Sequence, residues 1–219
     1  MPLLIRRSLS QGSTPVAATA LGLLLLAAGP LVSPSRGSEQ LAGPSTSAAA
    51  PARESTLQSK PAVGYAITPR RRALLNTIRY AEGTWKQGQA GYRTLYGGGR
   101  FASLACHPEI VVVKRYTSAA AGAYQFLPGT WREAASKLKL ERFDSNSQDQ
   151  AALYLVDRRG VLADIDEKGL THQAMAVLAR EWASFPNLRG RSAYGQPVKK
   201  ADELRRFYSS NLESLSDQA

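Results

Sequence analysis

A glutamate stands where an apolar-periodic helix should run out, in Tyr80-Ala81-Glu82-Gly83-Thr84. The last turn of a helix carries negative partial charge, so a carboxylate there is electrostatically misplaced. Misplacement raises a carboxyl pKa, and a carboxyl still protonated at neutral pH can act as a general acid. Arg79, three residues earlier, pulls the other way, because a guanidinium beside Glu82 would lower that pKa. Burial of the carboxyl has to win for the acid to work.

Other chemistries find less support. His107 and His172 are the only histidines, far apart and outside any H-E-x-x-H pattern, so no metal is expected and each reads as structural. Gly97-Gly98-Gly99 lacks the Lys and Ser or Thr of a phosphate loop and reads as a turn. A G-x-S-x-G elbow is absent. Cys106 is the single cysteine, which rules out an internal disulfide and is expected to be buried and inert. Its neighbour His107 would point to the opposite face of a strand, so cysteine catalysis has no base. No cofactor is expected.

The elements that must hold Glu82 follow from spacing. Pro69 suits a first helical turn with Thr68 as its cap, and Leu74, Leu75, Ile78 and Ala81 form one buried stripe that Gly83 ends. Residues 84–104 mix Gly88, Gly91, Gly97, Gly98 and Gly99 with Tyr92, Leu95, Tyr96 and Phe101, which predicts short strands and turns in a small sheet. Ala119 to Phe126 is rich in glycine and alanine, where backbone can approach other groups closely. Pro128 opens a helix through Trp131, Ala135 and Leu138. Ser147-Gln148-Asp149-Gln150 matches a capping box before Ala151 to Val156, with Gly160 as the stop. Helices are also expected over 171–181 and 198–212. The sum is α+β, mostly helical with one small glycine-rich sheet.

The 219-residue chain carries a net charge of +11. Arg6 and Arg7 precede an apolar run from Val16 to Val32, the pattern of a signal peptide or signal anchor over residues 1–32. Residues 33–60 are rich in Ser, Ala, Pro and Gly and read as a flexible linker. Residues 61–219 suffice for one domain, expected to be monomeric. An exported basic domain suits an anionic polymer, either a bacterial wall with acidic peptides or nucleic acid. The clusters Arg70-Arg71-Arg72, Lys114-Arg115, Arg158-Arg159 and Lys199-Lys200 are not interleaved with aromatics, so nucleic acid is not the expected partner.

Taken together, residues from about 70 to 212 resemble the lambda-type phage endolysins, peptidoglycan lytic transglycosylases with a lysozyme-like fold. Ala81-Glu82-Gly83-Thr84 is similar to that family's Ser-Glu-Gly-Thr, and His107-Pro108 matches its His-Pro. Gly122-Ala123-Tyr124-Gln125 resembles Gly-Arg-Tyr-Gln, which lines the saccharide cleft, and Ser147-Gln148-Asp149 matches Ser-Gln-Asp. Trp182-Ala183-Ser184-Phe185-Pro186 resembles Trp-Ala-Ser-Leu-Pro, and Tyr194-Gly195-Gln196 matches Tyr-Gly-Gln.

The resemblance implies a lysozyme-like α+β fold with Glu82 as catalytic acid/base. It also implies a substrate-contacting set of Tyr124, Gln125, Tyr194, Gly122 and Phe101. The implied reaction cuts the β-1,4 bond between N-acetylmuramic acid and N-acetylglucosamine in peptidoglycan glycan strands, leaving a 1,6-anhydro end. Location would be periplasmic or extracellular, with the N-terminal segment able to associate with a membrane. One departure matters. Where the family has Asp-Tyr-Ser-Asp before His-Pro, this chain has Ser103-Leu104-Ala105-Cys106, without either carboxylate. Glycoside hydrolysis generally uses a second carboxylate, so the loss favours anhydro-forming cleavage over a hydrolytic lysozyme. A non-catalytic wall-binding module is the remaining alternative.

Overall fold

The computed structural model describes residues 64–218. The expected leader, the linker and the first residues of the domain lie outside that range. Helix α1 (Pro69–Ala81) starts as its sequence dictates: Pro69 needs no amide partner in the first turn, and the Thr68 hydroxyl accepts from Arg71 N–H at 3.3 Å. Ala73, Leu74, Leu75 and Ile78 are fully buried. Much of that apolar face is covered by α6 (Ala201–Ser216), through Leu204 and Tyr208 and a stack of Tyr80 on Phe207 with centroids 4.1 Å apart. The first helix therefore rests on the last.

Between α1 and the next helix lies the least regular part of the domain. Residues 84–104, expected to form strands, instead wind into 3-10 turns over Trp85–Arg93 and Tyr96–Gly98. Only single bridges occur there, Thr94 to Arg100 and Leu95 to Ala121. The sheet lies further on and has two antiparallel strands, β1 (Val112–Val113) and β2 (Thr117–Ser118), with Val112 opposite Ser118. The physical reason is composition: the glycine-rich stretch lacks adjacent β-branched residues, whereas Val111-Val112-Val113 supplies them.

The remaining helices are α2 (Pro128–Leu138), α3 (Ser145–Arg158), α4 (Leu162–Lys168) and α5 (His172–Leu178). Helix α3 begins before the expected capping box. Asp144 is its cap, accepting from Ser147 N–H at 2.9 Å, and Ser147 to Gln150 are buried inside the helix. Sequence reading missed α4, whose seven residues bury only Leu162 and Ile165, too few to set a period. Helix α5 stops at Leu178, short of the expected 181, and α6 runs from Ala201 to Ser216 rather than over 198–212. Phe101, Phe126, Trp131 and Phe143 form an aromatic cluster joining the irregular region to α2. His107 closes it, 4.9 Å from Phe143.

Candidate active site

The Glu-Gly-Thr segment ends α1 in a Schellman motif. Gly83 N–H donates to Tyr80 C=O at 3.2 Å and Thr84 N–H to Arg79 C=O at 2.9 Å, which caps carbonyls the helix would leave open. Gly83 takes φ +76°, where a side chain would be strained. Glu82 is the C-cap residue itself. Thr84 is buried, and its hydroxyl donates to Ala123 C=O at 2.6 Å. The end of α1 is thus pinned to the turn at 122–125, with one residue between Glu82 and the pin.

That turn is tightly built. Gly122 has φ +81°, and a Cβ there would sit 2.3 Å from Gln148 Oε1 and 2.8 Å from Phe143. Gln148 holds the turn through its amide, accepting from Ala123 N–H and donating to Tyr92 C=O and Phe143 C=O. Gln125 adopts φ +49°, unusual for a residue with a side chain, and its amide nitrogen donates to Gly122 and Thr94 carbonyls.

Glu82 has sparse company. Ser184, on the segment after α5, donates its hydroxyl to Glu82 Oε1 at 2.6 Å. Burial pushes the carboxyl from its usual 4.5 up to about 7, and the Ser184 hydrogen bond opposes that rise. Arg79 takes no part. It is itself buried, its guanidinium donates to Gly88 C=O at 2.6 Å, and it lies over the Tyr92 and Trp85 rings at 4.7 and 5.2 Å. The neighbour expected to depress the Glu82 pKa is turned into the 3-10 segment. A small hollow beside the acid is lined by Tyr80, Ala81, Gly83, Trp85, Lys86 and Lys199.

The other expected substrate contacts are placed unevenly. Gln125 and Gly122 share the turn that Thr84 ties to Glu82. Tyr124 is fully buried and donates its hydroxyl to Asp149, so it offers no ring face to a sugar. Phe101 is 7% exposed and belongs to the aromatic cluster. Both rings follow the apolar core rather than the cleft. Tyr194 is 60% exposed, and its hydroxyl donates to Arg180 C=O at 2.9 Å. Trp182 is buried and donates its indole N–H to Tyr124 C=O. Cys106, expected inside, is exposed. It ends a surface bend, and the buried place next to it is taken by His107. Burial lowers the His107 pKa; its Nδ1 accepts from Glu109 N–H, so Nε2 carries the proton donated to Phe126 C=O. Ser184 was overlooked as a partner of the acid, although it lies in the Trp-Ala-Ser segment.

The domain is mostly helical with one short hairpin and its candidate acid ends the first long helix, and its likeness to solved structures makes it lysozyme-like. The comparisons narrow the class. The Endolysin family pattern matches residues 72–215, and the chain belongs to that family. The endolysin of Escherichia phage P2 is 34% identical over 87 residues, 40% of this chain, and the match spans half the length of that relative. A bacteriophage lambda lysozyme complexed with a chitohexasaccharide superposes with a TM-score of 0.61 and 32% identity, covering 67% of this chain and 96% of the other. A second structure of lysozyme from bacteriophage lambda gives 0.55 and 28%, covering 70% and 96%.

Proposed function

We propose that this protein is a peptidoglycan lytic transglycosylase in which Glu82 is both acid and base. The observation that carries the reading is a half-buried carboxyl whose pKa stands at about 7 with one hydroxyl as its hydrogen-bond partner. At neutral pH a large share of such groups is protonated. With Ser184 donating to Oε1, Oε2 is left to carry the proton. The glycan ligand named for the lambda lysozyme structure supports a saccharide substrate here.

Glu82 donates its proton to the oxygen of the β-1,4 bond between N-acetylmuramic acid and N-acetylglucosamine. The acetamido carbonyl of the muramic sugar steadies positive charge at its anomeric carbon. Glu82, now a carboxylate with Ser184 supporting its charge, takes the proton from that sugar's C6 hydroxyl, and the 1,6-anhydro ring closes. One residue serves both steps because the transfers are sequential. The exposed Ser103 and Cys106, in place of the family's carboxylates, support a route without a second acid. The leader and linker would deliver the domain across the cytoplasmic membrane; among the described residues no helix is long and apolar enough to span one.

Mass analysis of purified peptidoglycan digests tests both parts. The expected products carry anhydro ends with wild type and vanish with Glu82→Gln. Reducing ends would instead identify a hydrolytic lysozyme, and equal digestion by the two proteins would remove Glu82 from the mechanism.

A further inference from the structure

A broad groove lies away from Glu82. It measures about 930 Å³ and lies between α5 and the loop that follows it. Arg180, Arg189 and Arg191 line it, and no aspartate or glutamate does. All three arginines are exposed, and among the described residues none of their guanidinium groups makes a hydrogen bond or ion pair. The nearby Glu181 does not neutralise them, because Arg158 and Arg159 hold its carboxylate at 2.6 Å.

The loop carries its own hydrogen bonds. Asn187 Oδ1 accepts from the N–H groups of Arg189 and Arg191, and Asn187 N–H donates to Arg191 C=O at 2.8 Å. Between the arginines the wall is Val177, Leu188, Pro197 and Val198, with the amides of Gln173 and Gln196. Planar guanidinium forks pair with carboxylates bidentately, while amides and small apolar surfaces suit a peptide backbone and short side chains. A bare phosphate polymer would use the charge and leave the apolar wall idle. The same loop reaches the acid: Ser192 Oγ donates to Ala183 C=O, Ser184 holds Glu82, and Lys199 N–H donates to Ser184 C=O.

We infer that this groove binds the carboxylate-bearing stem peptide hanging from the glycan strand, with Arg189 and Arg191 as its specificity-determining contacts. This rests on the peptidoglycan reading above and adds the part of the polymer that is recognised. A strand whose peptide occupies the groove is held one loop away from the proton donor.

The test is equilibrium binding to insoluble peptidoglycan stripped of phosphate polymers by acid, with stem peptides intact or removed by an amidase. The full chain carries Glu82→Gln so that nothing is cut, with or without Arg189→Gln and Arg191→Gln together. The double change should weaken binding to the peptide-bearing wall about tenfold and leave binding to the bare glycan unchanged. Equal loss on both walls, or no loss on either, overturns the inference. So does an equal effect of Arg115→Gln, an arginine outside the groove, which would mean charge attraction alone. A difference seen only on wall that retains its phosphate polymers also overturns it. Binding is read without turnover, so a failure of the transglycosylase reading shows separately, in the product analysis.

Discussion

Glu82 and Asp149 are both carboxylic acids drawn in from solvent, and the protein treats them in opposite ways. Asp149, with its side chain 5% exposed, accepts from Tyr92 and Tyr124 hydroxyls and pairs with Arg72 at 2.6 Å. Burial and that charge push both tyrosine pKa values up, so the hydroxyls remain donors. Among the described residues Glu82 has one hydroxyl and no cation. A buried carboxylate surrounded by donors ties together the elements that supply them. One left nearly alone can gain and lose a proton near neutrality. The difference separates a strut from the proposed proton donor, and it lies in the surroundings of the two side chains, not in their own chemistry.

Exchange of each acid for its amide sharpens the contrast. Glu82→Gln should reduce peptidoglycan cleavage by about 10²–10⁴-fold, the usual worth of a general acid, while the far-ultraviolet circular dichroism stays that of wild type. Asp149→Asn should do the reverse. It leaves Arg72 and two hydroxyls short of an acceptor, and denaturant titration should show a loss of about 3 kcal/mol, the low end for a broken buried pair because Arg72 keeps partial solvent access. If Asp149→Asn kept full stability, the strut would be misassigned.

The pH dependence of stability separates the two sites next. The folded-state pKa of Glu82 is raised, from 4.5 to about 7. Below pH 4.5 the group is protonated in both states and carries no penalty. As pH rises through 4.5 to 7, the unfolded chain ionises first, so stability contributed by the protonated form is lost across that window. The full shift corresponds to about 3 kcal/mol, and the partial exposure of Glu82 reduces this to about 2. Glu82→Gln should therefore be more stable than wild type at pH 8 and nearly equal to it at pH 4. A smaller effect is expected at Ser184. Its hydrogen bond lowers the Glu82 pKa, so Ser184→Ala should move the alkaline limb of the pH–activity profile upward by about one unit or less. A downward movement would show that Ser184 does not donate to the working carboxyl.

Helices α1, α2 and α6 were legible in the sequence. Helix α1 buries Ala73, Leu74, Leu75 and Ile78 on one face. Helices α2 and α6, at 11 and 16 residues against the seven of α4, are long enough to repeat an apolar spacing. The candidate acid was legible with α1, since Glu82 is defined by where α1 stops. The hairpin position was not legible, because glycine and aromatic residues are as much at home in 3-10 turns as in short strands. Side-chain direction was less legible still. Arg79 lies three residues from Glu82 on the same helix, yet aromatic rings and a carbonyl draw it away. Tyr124 matches a cleft-lining segment, yet a buried aspartate more than twenty positions later claims its hydroxyl. Such outcomes depend on partners that only the folded chain brings together.

Helix α1 has its chief cover in α6, the last helix of the described chain. During synthesis the stretch that ends in Glu82 leaves the ribosome early and waits for Ala201–Ser216 before its apolar face is covered. The acid thus reaches its working environment only when nearly all of the domain has been made. A nascent or truncated chain that lacks α6 would carry Glu82 at the end of a helix whose apolar face is uncovered.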